Sequence, residues 1–347
     1  MRDIKENKFD VIGGEYIKNI LSDCKKDILD VIENTYISHE VGLAENPDSY
    51  FLRFKDKPES RIIALPSYIN DCEKSLNVAG IKWISSFPQN IEINLQRASA
   101  AILLNDRETG YPFCLLEGAQ ISATRTAASA VLAANHLNNK GKSSERVAII
   151  GGGVIARNII EFFYADNWNI GSFEIYDSSE NNGRLFSEHM SSTIGQNIEI
   201  SSSLEDSLSA DIVIFTTTAS SPYLDPTFRF NSNQLVLNIS LRDIPPEIII
   251  DSNNVFDDVE HCMKANTSPH LAEQMTGNRN FANGTLAAFI MGKFKLDSSK
   301  PTIFSPFGLG VLDLALSMYL YNQRLDLPGR YTLKDFFPDV SRWGELS

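Results

Sequence analysis

The stretch "VAIIGGGVIARNIIEFF", Val147 to Phe163, constrains this chain more than any other. A short β-branched run meets three glycines, and an amphipathic helical pattern follows at once. Gly151-x-Gly153-x-x-Ala156 lies within it, and Asp177 ends the next apolar run, "GSFEIYD". Strand, glycine turn, helix and strand-end acid together form a dinucleotide fingerprint, which the glycines alone would not. Gly151 permits the tight turn, Gly153 lets the backbone approach a pyrophosphate, and Ala156 lets the helix pack closely on the strand. The free N–H groups of the helix start, at Val154, Ile155 and Ala156, suit phosphates. Asp177 would accept hydrogen bonds from both ribose hydroxyls and repel a 2′-phosphate. No Arg or Lys follows it at once, so the reading is NAD over NADP. The other reading is a glycine turn that serves packing alone.

The surrounding sequence supports the first reading. "RVAII", "GSFEIYD", "DIVIFTTT" and "QLVLNIS" are short apolar runs separated by helical or polar pieces. That alternation predicts a parallel sheet with crossover helices, a Rossmann-type domain over 139–305. Ligands of such sheets bind beyond the C-terminal strand ends. Thr217, in "TTTAS", and Ser240, after "QLVLNI", are therefore candidates to line a cofactor, although strand-end hydroxyls also simply face water. "LVLNISLRDIPPEII" places Asp243 just past a buried strand and before Pro-Pro. It either faces the cleft or only forms the turn.

The rest of the chain has another style. "EYIKNILSDCKKDILDVIENTYISHE" carries Ile17, Ile20, Leu21, Cys24, Ile28 and Ile32 on one helical face. "YFLRF", "RIIALPSYI", "AGIKWISSF" and "RASAAILLND" read as strands, and "NDRETGYPF" as a hairpin turn. These predict an α+β domain with a largely antiparallel sheet, over 1–138 and 306–347. "SATRTAASAVLAANHLNNKGK" reads as a helix capped by Ser122 and ending near Gly141. "GVLDLALSMYLYNQRL" reads as a last helix. The fold class is thus α/β, a Rossmann-type domain plus an α+β domain.

Composition removes several functions. A formal charge of −13 over 347 residues argues against nucleic acid or an anionic membrane as partner. No run of about 18 apolar residues suggests a membrane span, and the N-terminal residues lack a signal-peptide core. Four scattered cysteines without a C-x-x-C pair suit reduced thiols. Five histidines without H-x-x-x-H spacing give no metal site. The expectation is a cytoplasmic protein.

Against this acidic background, several cations stand in apolar surroundings. Lys82 sits in "VAGIKWISSFPQN", which reads as a strand entering a core through Val78, Ile81, Trp83 and Ile84. Burying an ammonium without a partner costs several kcal/mol. Arg53, Arg61, Arg97 and Arg125 interrupt other apolar runs. Each alone fits a surface-facing position, a snorkelling stem or a structural ion pair. Together they look like a cluster that holds carboxylates, which arginine grips bidentately.

With these residues in view, the chain resembles the ornithine cyclodeaminase/mu-crystallin family. The matching segments are "IKWISSFPQN", "LLNDRETGYPF", "SATRTAASAVLAANHL", "IIGGGVIA", the Asp243 segment and "SPFGLGVLDLA". "RIIALPSYI", "AGIKWISSFPQN" and "RASAAILLND" look closest to its 2,3-diaminopropionate biosynthesis dehydrogenases, of siderophore and peptide-antibiotic pathways. The resemblance implies a homodimer whose first domain dimerises and binds a small amino-acid substrate, with NAD as cofactor. It implies that Arg53, Lys82 and Arg125 serve the substrate carboxylates and catalysis, and that Asp243 handles the amine. Arg61 and Arg97 are added as substrate-binding candidates from their setting alone. The implied reaction is oxidation of N-(1-amino-1-carboxy-2-ethyl)-glutamate to an imine, whose hydrolysis gives 2-oxoglutarate and 2,3-diaminopropionate. "DIPPEII" departs from the cyclodeaminases, which usually carry a glycine and a lysine there. Ornithine cyclodeaminase, another amino-acid dehydrogenase or ketimine reductase, and a non-catalytic mu-crystallin-like binder remain the alternatives.

Overall fold

A computed structural model describes residues 8–323 and 327–337. The chain divides into two compact units. One gathers Met1–Cys24, Val41–Ser122 and Gly310–Ser347; the other gathers Lys25–Glu40 and Ala123–Leu309.

The first unit is built on an eight-stranded sheet. Its strands are β1 (Phe9–Ile12), β2 (Ala44–Glu45), β3 (Tyr50–Phe54), β4 (Lys57–Asp71), β5 (Leu76–Ser86), β6 (Ala98–Asn105), β7 (Pro112–Glu117) and a closing strand, Arg330–Leu333. Every pairing is antiparallel except that of β1 with β7. Helix α1 (Gly14–Asp23) buries Tyr16, Ile17, Ile20 and Leu21. The apolar helix Gly310–Asn322 packs across β4, β5 and β6. Arg324 and Leu325, read from sequence as the end of that helix, and the N-terminal residues 1–7 lie outside the described residues.

The single helix expected over 15–40 is two. It breaks at Cys24, and α2 (Lys25–Glu40) buries Ile28 and Ile32 within the second unit. One continuous apolar stripe in sequence therefore serves two cores. The strand "VAGIKWISS" also differs from its reading. Alternation puts Val78 and Lys82 on one face of β5 and Trp83 on the other, where it is 46% exposed. The lysine, not the tryptophan, enters the interior.

The second unit carries a sheet of eight parallel strands: β8 (Ser143–Ile150), β9 (Asn169–Tyr176), β10 (Ile198–Ile200), β11 (Ile212–Phe215), β12 (Leu235–Asn238), β13 (Asn253–Phe256), β14 (Ala282–Thr285) and β15 (Thr302–Ser305). Their spatial order is β10-β9-β8-β11-β12-β15-β13-β14. β8 to β10 run outward one way, and β11 starts the other way from beside β8. The sheet thus has a topological switch point between β8 and β11, where open α/β sheets open a crevice for ligands. Val147–Ile150, Ile212–Phe215 and Leu235–Asn238 are buried, as strands covered on both faces require. α3 (Ala119–Leu137) packs its Ser129 against Tyr36 of α2, whose hydroxyl donates to the serine at 3.0 Å. No helix among the described residues is long and apolar enough to cross a membrane.

Candidate functional site

The glycine turn joins β8 to α4 (Val154–Ala165). Gly151 has φ +96°, and a β-carbon there would lie 3.0 Å from the Thr216 carbonyl oxygen. Only glycine lets the turn fold against the end of β11. Thr216 fastens the same spot by donating its hydroxyl to the Gly151 carbonyl at 2.8 Å. Gly153 is the N-cap of α4, gives the helix no side-chain cap, and has nothing within 4 Å of where a β-carbon would stand. The first N–H groups of α4 are thereby left for an anion that can come close to the backbone. Asp177 follows β9, and its carboxylate accepts from the Gly152 N–H at 2.8 Å and from the Asn182 amide at 2.6 Å. Ser179 N–H is a further donor at 3.0 Å. These residues fit a dinucleotide: an open glycine cradle for the pyrophosphate, at the switch point, with an acid at the end of the second strand.

Asp243 lies in the same unit, beyond the end of β12, and is 0% exposed. Its loop turns at Leu241, φ +68°, whose carbonyl accepts from the Ser268 N–H. Thr217 donates its hydroxyl to Oδ1 at 2.5 Å, and Ser240 donates to Oδ2. Both hydroxyls, expected from sequence at the cofactor, are turned onto this carboxylate. Tyr223 is 43% exposed as a residue, yet its phenol is pushed well above its ordinary range, by burial of the hydroxyl and by Asp243 beside it. Hydroxyls thus surround a buried acid at a strand end, an arrangement able to receive and return a proton.

Arg125, on α3, is 8% exposed. Gly308, at φ +96°, passes over its guanidinium so closely that a β-carbon there would stand 2.8 Å from Nη1. That loop is held from below by Asp257, a buried acid at the end of β13. Its oxygens accept from the Asp258 N–H at 2.8 Å, the Phe307 N–H at 2.8 Å, the Gly308 N–H at 2.6 Å and the Cys262 thiol at 3.3 Å. Burial raises the Asp257 carboxyl, and the same burial drives the Cys262 thiol well up.

In the first unit, Lys82 is 2% exposed and its Nζ donates to Asp313 Oδ2 at 2.6 Å and to Ser122 Oγ at 3.1 Å. Asp313, on the helix Gly310–Asn322, is itself fully buried. Ser122 is not the cap of α3, which starts earlier at Ala119. Glu117 caps it instead, accepting from the Ala119 N–H at 2.6 Å and the Gln120 N–H at 3.2 Å. Ser122 thereby lies inside the first turn, where its hydroxyl meets the lysine. Arg53 and Arg61 face each other across β3 and β4, and Arg97 stands just before β6. The sequence reading missed Asp313 and Asp257. Asp313 carried a usable signal: a lone charge within "GVLDLALSMYL", as conspicuous as Lys82 in its strand.

Among the described residues, no group of acids, cysteines and histidines is arranged to hold a metal ion. The comparisons with known proteins agree with this architecture. Over 270 residues, 76% of this chain and 79% of the relative, the sequence is 29% identical to an N-((2S)-2-amino-2-carboxyethyl)-L-glutamate dehydrogenase of Staphylococcus aureus. The structure superposes on the Δ1-pyrroline-2-carboxylate reductase of Thermococcus litoralis, solved with NADH and L-proline. That match has a TM-score of 0.80 and 24% identity, and covers 90% of this chain and 96% of the other. An archaeal alanine dehydrogenase dimer with bound NAD also matches, with a TM-score of 0.80 and 21% identity, over 95% of this chain and 100% of that one. Residues 18–229 match the ornithine cyclodeaminase/mu-crystallin family, and the chain belongs to it.

Proposed function

We propose that the protein is an NAD-dependent dehydrogenase that oxidises a secondary-amine amino acid, N-(2-amino-2-carboxyethyl)-glutamate, the compound written above as N-(1-amino-1-carboxy-2-ethyl)-glutamate. The observation that carries this is the buried Asp243 carboxylate among hydroxyls at the strand ends, in the unit with the glycine cradle. The S. aureus relative bears the name of this activity.

Val154, Ile155 and Ala156 offer their N–H groups to the dinucleotide phosphates, Gly151 and Gly153 make the room, and Asp177 takes the ribose hydroxyls. NAD, when bound, accepts a hydride. Asp243 removes the proton from the substrate ammonium, leaving the nitrogen lone pair able to expel that hydride from the adjacent carbon. Thr217 and Ser240 hold the carboxylate in place and re-orient as it gains the proton. Arg125 binds a substrate carboxylate beneath the Gly308 loop, and Arg53, Arg61 and Arg97 bind carboxylate as well. Lys82, kept in one position by Asp313 and Ser122, guides the water that attacks the imine carbon. Substrate, NAD and water thus become 2-oxoglutarate, 2,3-diaminopropionate, NADH and a proton. The first unit is the substrate-binding and dimerisation domain. The protein works as a cytoplasmic homodimer, like the dimeric alanine dehydrogenase, and supplies diaminopropionate to siderophore or peptide assembly.

The test is a substrate panel. Purified protein with NAD is offered N-(2-amino-2-carboxyethyl)-glutamate, ornithine, alanine and proline in turn, NADH is followed by absorbance, and products are identified by mass spectrometry. We expect NADH, 2-oxoglutarate and diaminopropionate from the first compound alone. Proline and ammonia from ornithine, or NADH with alanine or proline only, would overturn the reading. Tight NADH binding with no turnover would make the protein a binder.

A further inference from the structure

The first unit carries a second group of cations that no acid meets at ion-pair distance among the described residues, although Glu59 attracts Arg61 through space. Arg53 on β3 stands directly opposite Arg61 on β4, and Arg61 stands opposite Ser86 on β5. This register puts the three residues on one face of the sheet. Arg97 joins them, its Nη1 donating to Ser86 Oγ at 3.3 Å. Lys82 shares that face, since it and Ser86 both lie at even steps along β5.

Like charges placed opposite each other across an antiparallel pair destabilise a sheet. A chain with 44 acids and 31 lysines and arginines could easily have supplied a counter-charge. Lys82 received one in Asp313. None of the three arginines makes an ion pair among the described residues. Arg61 Nε is buried with no acceptor, an arrangement native proteins seldom keep without a reason. Burial, together with the neighbouring arginine, lowers the proton affinity of both Arg61 and Arg97, with Glu59 opposing this at Arg61. The group has the composition of an anion site whose partner comes from outside the unit. Strand rise sets the α-carbons of Lys82 and Ser86 on the order of 13 Å apart. A ligand that reaches both is extended, unlike alanine or proline.

We propose that Arg61 and Arg97, with Arg53 beside them, grip a carboxylate of the substrate remote from its reacting carbon, so that the enzyme selects amino acids with an additional carboxylate and rejects monocarboxylates. This rests on the dehydrogenase reading above. It goes beyond that reading in assigning these arginines to the remote carboxylate, and so to the choice of substrate class.

The experiment compares two acids that differ only in a terminal carboxylate, 2-oxoglutarate and 2-oxopentanoate. Calorimetry measures their binding to the full protein with NADH present, for wild type, Arg61→Met, Arg97→Met and the conservative Arg61→Lys. Charge-assisted hydrogen bonds suggest that wild type prefers 2-oxoglutarate by roughly 10- to 100-fold. Each methionine variant should lose most of that preference with 2-oxopentanoate binding unchanged, and Arg61→Lys should fall between. Equal affinity of wild type for both acids, or a preference that survives in both methionine variants, would overturn the site. Sedimentation adds a second check. A variant that changes oligomeric state while keeping the preference would make the cluster an interface ion site and defeat the proposal. Preference for 2-oxoglutarate with no turnover on the substrate panel would remove the dehydrogenase reading and leave this binding site standing.

Discussion

Asp243 and Asp257 are both fully or nearly fully buried, and both follow parallel strands of the second unit near their C-terminal ends. They differ in what they accept from. Asp257 takes three backbone N–H groups, from Asp258, Phe307 and Gly308, besides the Cys262 thiol. A backbone N–H can only donate and cannot turn away. Asp243 takes the hydroxyls of Thr217 and Ser240, and a hydroxyl is donor and acceptor at once. If Asp243 gains a proton, a hydroxyl rotates and accepts it. If Asp257 does, a fixed donor loses part of its acceptor. One acid is surrounded by hydroxyls that can follow a proton, the other by fixed donors that hold a loop.

The sharpest way to break this distinction is Asp243→Asn. The amide oxygen still accepts one hydroxyl, and its NH2 donates to the other after a rotation, so stability should change by less than about 1 kcal/mol. Turnover should fall by about 10³-fold, the weight of a general base. Thermal melts and steady-state kinetics on the same preparation check both halves. An active Asp243→Asn protein would place the base elsewhere.

Asp257→Asn should do the reverse. Its NH2 cannot accept from a backbone donor, so at least one buried N–H loses its acceptor at a cost of about 1–3 kcal/mol. Urea denaturation should show that loss. Activity should drop only as far as the loop over Arg125 loosens, seen as a rise in KM rather than a fall in kcat. A stable Asp257→Asn protein would mean that the two acids are not so different.

Thr217→Val probes the hydroxyl half of the comparison. It keeps the shape and removes one donor to Asp243. We expect kcat to fall about tenfold, the worth of one hydrogen bond to a charged group, with NADH binding unchanged by fluorescence titration. A loss of NADH affinity instead would return Thr217 to the cofactor.

The sequence made some of this legible and not the rest, for physical reasons. Gly151, Gly153, Ala156 and Asp177 could be found because a turn between strand and helix is a local event, encoded by spacing. Lys82 could be flagged because a charge in an apolar strand conflicts with burial. Its partner Asp313 stands 231 positions later in the chain, and nothing in a strand pattern reaches that far. Thr217 and Ser240 were placed at the right strand ends, but their hydroxyls meet Asp243 through a loop that turns at the positive φ of Leu241, which no periodicity reveals. Ser122 was misread for a local reason. It sits well for a cap, yet Glu117 takes the helix N–H groups first. The amphipathic stripe over 15–40 hid a break because both halves bury the same kind of face. The break at Cys24 became visible only with the two units.

The smallest effect concerns Asp258, next in sequence to Asp257, and it extends the contrast between fixed and adaptable partners. His39 Nε2 is hydrogen-bonded to Asp258 Oδ2 at 2.9 Å, and His261 Nδ1 lies 3.0 Å from Oδ1, within ion-pair distance. Burial alone would raise the Asp258 carboxyl, yet the two histidines carry it far below its ordinary range. Asp258 in turn raises His261 above its ordinary value, against burial and Lys264, with Asp257 adding to the rise. A histidine whose folded value is raised stabilises the fold fully below its unfolded value, near 6.5. That contribution is lost as pH climbs through the raised folded value. Melting temperature should therefore decline from about pH 6 toward alkaline pH by the equivalent of about 1 kcal/mol. In His261→Gln that part of the slope should vanish, while the urea stability lost in Asp257→Asn should not depend on pH over the same range. A slope that persists in His261→Gln would assign the alkaline decline to another group and leave the Asp258 pair without measurable weight.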